Sequence, residues 1–146
     1  NGYFDRNADT KLENATDLSL QIALGQTGSA GIVSNVEDIY TLMEAVFETK
    51  LITKPSLEKM KTYILKKEGK TEYVFGLGII FEDFGRFGTA IGHGGSLPGF
   101  TTEAWYFPEQ DTYIIYQVNV GNMWSGPVEE ILDNDFKGAV LSSVFD

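Results

Sequence analysis

Near residue 70 the apolar residues of this chain stop recurring every three or four positions and begin to alternate every two. That order suits an architecture in which helices pack against an antiparallel sheet. Upstream of the switch, Ser34-Asn35-Val36-Glu37 reads as a capping box opening a helix, with Ile39, Leu42, Met43, Val46 and Phe47 forming one apolar stripe. Pro55 suits the first turn of a second helix, whose stripe of Leu57, Met60, Ile64 and Leu65 is expected to end near Gly69. Downstream, Tyr73 to Phe81 reads as a strand, Asp83 to Gly85 as a turn and Phe87 to Ile91 as a short strand. Thr101 to Phe107 and Thr112 to Val120 follow as a hairpin joined by Pro108-Glu109-Gln110-Asp111. Pro127 to Val144 carries Val128, Ile131, Leu132, Phe136, Val140 and Leu141 near helical spacing, predicting a closing helix on the sheet, weakened in its middle by Asn134, Asp135 and Gly138.

The expected fold class is therefore α+β, an antiparallel sheet with flanking helices, in one domain over 1–146. Its parts are a loop-rich lead-in (1–33), a helical pair (34–68), antiparallel strands (73–120) and a closing helix (126–145). The 146 residues, 42% hydrophobic and 22% charged, suffice for an ordered core. With 11 basic against 21 acidic residues the net charge is −10, which excludes a field that gathers nucleic acid. The cluster of Lys59, Lys61, Lys66, Lys67 and Lys70 is interleaved with Glu58 and Glu68 and reads as a solvated helix face. The absence of cysteine removes disulfides and thiolate metal sites. No apolar run approaches the roughly 18 residues that span a bilayer.

The single histidine, His93, stands in Gly92-His93-Gly94-Gly95-Ser96-Leu97-Pro98-Gly99-Phe100, at the expected end of a strand. Glycines there let a substrate lie along the strand edge and pair with main-chain groups, while the imidazole donates to an anionic group or moves a proton. The competing readings are a structural histidine and a bulge with a Pro98-Gly99 turn. Ser96 cannot complete a triad with His93, because residues three apart on a strand point to opposite faces. The pairs Glu37-Asp38, Glu82-Asp83 and Glu129-Glu130 fall where helix starts and turns place acids, rather than as glycosidase carboxylates. One histidine and no cysteine make a zinc site improbable, and no cofactor is implied.

Two passages together resemble the serine β-lactamase-like family, the group of class C β-lactamases, D-Ala-D-Ala carboxypeptidases and related esterases. Gly28-Ser29-Ala30-Gly31-Ile32-Val33-Ser34 resembles its small-residue turn before a helix. Tyr73 to Gly78, followed by Gly92-His93-Gly94-Gly95 and Pro98-Gly99-Phe100, resembles its strand and third motif, His or Lys, then any residue, then Gly. The resemblance implies that His93 anchors a substrate carboxylate and tunes a nucleophile. It implies that Gly94 and Gly95 hold the acyl part, and that Ser96 or Leu97 offers an oxyanion-hole amide.

The same resemblance begins after the motifs that carry covalent chemistry, so Ser-x-x-Lys is expected nowhere in this chain. Tyr-x-Asn is absent, and Tyr116-Gln117-Val118-Asn119 has the wrong spacing. The chain is expected to be a C-terminal portion of a serine hydrolase acting on β-lactam, D-Ala-D-Ala peptide or ester, inactive without the N-terminal part. The alternative is a noncatalytic domain that binds a peptide or partner through the same edge. A small-molecule or peptide substrate, the N-terminal part of the same enzyme, a homo-oligomer or swapped dimer, and an extracytoplasmic location all follow as expectations of the resemblance.

Overall fold

The computed structural model describes residues 1–25, 28, 31–62, 65–66, 73–121 and 126–146. The chain forms two compact units: Ser34–His93 with Glu103–Tyr116, and Asn1–Val33 with Gly94–Thr102 and Gln117–Asp146.

Helix α1 (Thr16–Gly25) belongs to the second unit; in the first, α2 spans Val36–Phe47 and α3 Lys54–Met60. The cap of α2 is Asn35 rather than Ser34: its Oδ1 accepts the Asp38 N–H at 2.9 Å and its Nδ2 donates to the Asp38 carboxylate at 3.0 Å. Glu37 and Asp38 then sit in the first turn, where the helix dipole favours negative charge. Ile39, Met43, Val46 and Phe47 are half-buried as expected, but Leu42, read as part of the same stripe, is exposed. Phe47 packs on Tyr106, and Tyr106 stacks on Tyr113 with centroids 4.5 Å apart.

Helix α3 is capped by Thr53 and buries Leu57, but stops at Met60. The Met60 carbonyl accepts the Leu77 N–H at 2.8 Å, and a Cβ on Gly76 would overlap that carbonyl. Close packing of the next hairpin thus ends the helix. Leu65, expected on its stripe, belongs to β3 (Leu65–Lys66), whereas Ile64, Lys67, Gly69 and Lys70 lie outside the described residues.

The expected strand from Tyr73 to Phe81 is instead a hairpin, β4 (Tyr73–Phe75) and β5 (Ile80–Asp83). Gly76 N–H donates to the Ile79 carbonyl and Gly78 adopts φ +74°, a conformation glycine takes without a Cβ penalty. After a short 3₁₀ turn, β6 runs from Thr89 to Leu97, followed by β7 (Phe100–Phe107) and β8 (Thr112–Val118). The strand order is β3-β4-β5-β6-β7-β8. Within the first unit, Ile79, Ile80, Ala90, Ile91, Ala104, Trp105, Phe107 and Ile114 are buried, and Phe84 packs against both Trp105 and Phe107. Glu82 lies within β5 and is buried, not at a turn as expected.

In the second unit the loop-rich first 33 residues carry two short strands and one helix. β1 (Tyr3–Phe4) pairs antiparallel with β2 (Glu13–Asn14) and parallel with β9 (Val120–Gly121), and α1 spans Thr16–Gly25. Asn14 Oδ1 accepts from the Thr16 N–H and hydroxyl at the start of α1, a helix that lacks a clean apolar stripe. Asp5 is buried and accepts the N–H groups of Asp9 (3.0 Å) and Thr10 (2.8 Å), closing a loop in which Ala8 and Thr10 have positive φ. At the C-terminus, α4 (Pro127–Glu130) and α5 (Lys137–Phe145) are joined by a π-helical stretch over Ile131–Phe136, where Asn134 and Asp135 were expected to weaken the helix.

Candidate active site

The five candidate residues, His93, Gly94, Gly95, Ser96 and Leu97, are consecutive on β6. The strand was expected to end at Ile91, with His93 at its tip, but it continues six residues further and places His93 in its interior. Strand alternation sets His93, Gly95 and Leu97 on one face and Gly92, Gly94 and Ser96 on the other. His93 and Gly95 are exposed, while Gly92 is buried. Alternation along the strand thus sends the histidine and the Ser96 side chain to opposite faces.

Glycine at 92 has a packing cause. A Cβ there would overlap the Ala104 carbonyl oxygen on β7, so only a bare backbone lets the strands meet at this point. On the other side, β5 pairs with β6 from Asp83↔Thr89 to Ile80↔Gly92, and its register ends one residue before His93. Gly95 is different: nothing lies within 4 Å of the place a Cβ would occupy.

Within the second unit the hairpin tip after the candidate residues is tightly held. Gly99 takes φ +98°, with Gly2 and the Ser19 hydroxyl 3.0 Å from where a Cβ would stand. Pro98 is fully buried, and a Cβ on Gly121 would overlap the Leu97 carbonyl. The buried Thr101 hydroxyl donates to the Val120 carbonyl at 2.8 Å and lies 3.4 Å from the Ser96 hydroxyl. Gly2, Ser19, Thr101 and Gly121 thus brace the turn, and none of them stood out in the sequence, where each is an ordinary small residue far from His93.

Contrary to expectation, a Ser-x-x-Lys spelling does occur, at Ser56-Leu57-Glu58-Lys59 in α3. Ser56 and Lys59 are both exposed. The Ser56 hydroxyl pairs with the Thr53 hydroxyl at 3.0 Å, and no hydrogen bond joins it to Lys59 among the described residues. A serine nucleophile needs a base within hydrogen-bond reach, so this pair serves the helix start. Ser29 and Ala30 of the small-residue turn lie outside the described residues, whereas Gly28 and Gly31 both have positive φ.

Helices with a largely antiparallel sheet and a glycine-lined strand bearing the histidine make this an α+β protein of the β-lactamase and penicillin-binding protein type. The chain belongs to the beta-lactamase family, whose sequence profile matches residues 2–135.

Among solved structures it is similar to a D-stereospecific amidohydrolase from a Streptomyces species, with TM-score 0.68 and 22% identity, over 94% of this chain and 39% of that one. It is similar also to a penicillin binding protein from Bacillus halodurans, with TM-score 0.58 and 15% identity, over 93% and 39%. D-amino acid amidase from Ochrobactrum anthropi SV3, complexed with L-phenylalanine, matches with TM-score 0.61 and 23% identity, over 76% and 33%. At these identities the likeness is one of fold, and the chain spans less than two fifths of the length of each. A search of curated proteins finds no match.

Proposed function

We propose that this chain supplies the substrate-binding strand of a serine acyl-hydrolase acting on β-lactams, D-amino acid amides, D-Ala-D-Ala peptides or esters, namely the stretch of β6 beyond its pairing with β5, and that the nucleophilic serine comes from a segment outside these 146 residues. The supporting observation is the placement of His93-Gly94-Gly95 on β6 immediately past the end of the β5 register, with His93 and Gly95 exposed. Family membership and the likeness to an amidohydrolase and to an amidase of D-amino acids support the substrate class.

In this reading the serine hydroxyl attacks the scissile carbonyl, the amine, alcohol or ring nitrogen leaves with a proton, and water then releases the acyl group. His93 donates to the anionic group of the substrate. The main chain of Gly94 and Gly95 aligns the acyl part. The amide of Ser96 or Leu97 faces the developing oxyanion, an interaction worth about 3 kcal/mol in the transition state. An extracytoplasmic location accompanies the proposal by family likeness.

A second reading, a noncatalytic peptide-binding domain using the same edge, draws on the absence of Tyr-x-Asn and the exposed, unconnected Ser56 and Lys59. The deciding experiment measures hydrolysis of a chromogenic β-lactam, a p-nitrophenyl ester and a D-phenylalanine anilide. It uses this chain alone, and with the polypeptide encoded ahead of Asn1, in wild-type, His93→Ala and Ser56→Ala forms. Turnover only in the combined sample, reduced by His93→Ala and indifferent to Ser56→Ala, is the expected result. Turnover by the chain alone that vanishes in Ser56→Ala overturns the assignment of the nucleophile, and inactivity of every sample favours the binding domain.

A further inference from the structure

We propose that Tyr106 and Tyr113 form a site of oxidative modification, at which two equivalents of a one-electron oxidant join the two phenol rings by a carbon–carbon bond ortho to their hydroxyls. The chemistry does not draw on the acyl transfer proposed above.

Tyr106 lies one residue before the end of β7 and Tyr113 one residue after the start of β8, on neighbouring strands of the first unit. Both are half-buried, and their rings stack with centroids 4.5 Å apart and planes 29° from parallel, so the carbons of one ring lie over those of the other. Phe47 and Tyr40 on α2 hold the pair in place. Phe47 lies tilted 5.1 Å from Tyr106, and Tyr40 meets Tyr113 edge-on, with centroids 5.3 Å apart and planes 89° from parallel. Tyr40, more distant and perpendicular, is the poorer coupling partner for Tyr113.

A phenol gives up an electron readily only when its proton leaves with it, and Tyr106 has a base in place for that proton. Its hydroxyl donates to Asp111 Oδ1 at 3.0 Å. Burial and the same hydrogen bond raise the Tyr106 pKa, so phenolate is scarce at neutral pH and transfer to Asp111 is the open route. The chain contains no cysteine, so no thiol competes for the oxidant.

In the reaction each tyrosine gives one electron to the oxidant and its hydroxyl proton to a base, Asp111 for Tyr106 and water for Tyr113. The two radicals pair to form a Cε–Cε bond, and the hydrogen on each bonded carbon passes to the oxygen of its own ring, which restores both hydroxyls. Two electrons and two protons leave in all, and the new bond ties β7 to β8 across the turn.

The test photolyses the folded chain with tris(bipyridyl)ruthenium(II) and persulfate, a source of trivalent ruthenium as the oxidant. Expected are a monomer lighter by two hydrogens, dityrosine fluorescence and, after a glutamyl endopeptidase cuts behind Glu103, Glu109 and Glu129, peptide 104–109 joined to peptide 110–129. Tyr106→Phe and Tyr113→Phe, which keep the packing, each abolish the product. Asp111 stands at φ 47°, which asparagine also tolerates, so Asp111→Asn keeps the turn and a hydrogen-bond acceptor but removes the base, and slows coupling by about tenfold or more. Thermal melts of the variants check that each is folded. A wild-type chain that gains oxygen without crosslinking, a bond from Tyr113 to Tyr40, or coupling as fast in the urea-unfolded chain overturns the site. An undiminished rate in Asp111→Asn overturns the role of the carboxylate.

Discussion

The carbonyl oxygen of Ala104 occupies the space that a Cβ on Gly92 would need, one residue before the histidine of the candidate site. Gly92→Ala must push β6 and β7 apart, at a cost of roughly 2–4 kcal/mol, in the range of severe overpacking. Gly95→Ala meets nothing within 4 Å and is expected to change stability by less than about 0.5 kcal/mol. Urea unfolding of the two variants measures the contrast, and equal losses would refute it.

His93 is exposed, so His93→Ala is expected to leave the unfolding midpoint in place while lowering kcat/KM of the combined enzyme by about 10²-fold or more, the range for loss of a positioned acid–base or anion-binding group. His93→Lys should recover part of the rate, because the resemblance admits either base at this position. Steady-state kinetics beside a denaturation curve separates this outcome from general destabilisation.

Burial first, and then the neighbouring Tyr106, Glu48, Tyr40 and Asp111, push the Tyr113 phenol up to about 12. Tyr106 is raised by burial and by its hydrogen bond to Asp111, and Tyr40 by its bond to Glu44. A phenol with a raised folded pKa holds its proton more tightly in the native state. Its stabilising contribution is therefore complete below the ordinary value of 10 and is lost as pH rises toward 12. Stability should fall across that window, and Tyr113→Phe should flatten the fall. Unfolding at a series of alkaline pH values tests this, alongside phenolate absorbance.

Asp5 holds the Asp9 and Thr10 amides with both carboxylate oxygens in a loop that contains two residues at positive φ. Asp5→Ala leaves those donors without their acceptor and is expected to cost about 1–3 kcal/mol. Asp5→Asn keeps one acceptor oxygen and should cost less. Chemical denaturation of both variants checks the order.

The β7–β8 hairpin was legible because its information is local: alternating Trp105, Tyr106 and Phe107 fix a period, and Pro108 and Asp111 fix the turn. The candidate site was legible only as a list of neighbours. That His93 lies inside a nine-residue strand follows from β7 running beside a glycine-rich stretch that, taken alone, reads as loop. The spelling at Ser56-Leu57-Glu58-Lys59 shows the converse, since a motif is not a site when its serine bonds to Thr53 and its lysine stands in water.

By itself the amino-acid order determined the class of fold, the two helices that follow residue 34 and the β7–β8 hairpin, because periodicity and turn chemistry act between residues close in the chain. Tertiary structure decided where α3 stops, how the strand at Tyr73 folds back at Gly76, that α1 exists, and which distant residues brace the turn after Leu97. Those outcomes depend on contacts such as Met60 with Leu77 and Gly2 with Gly99, where the free energy lies in packing between segments far apart in sequence.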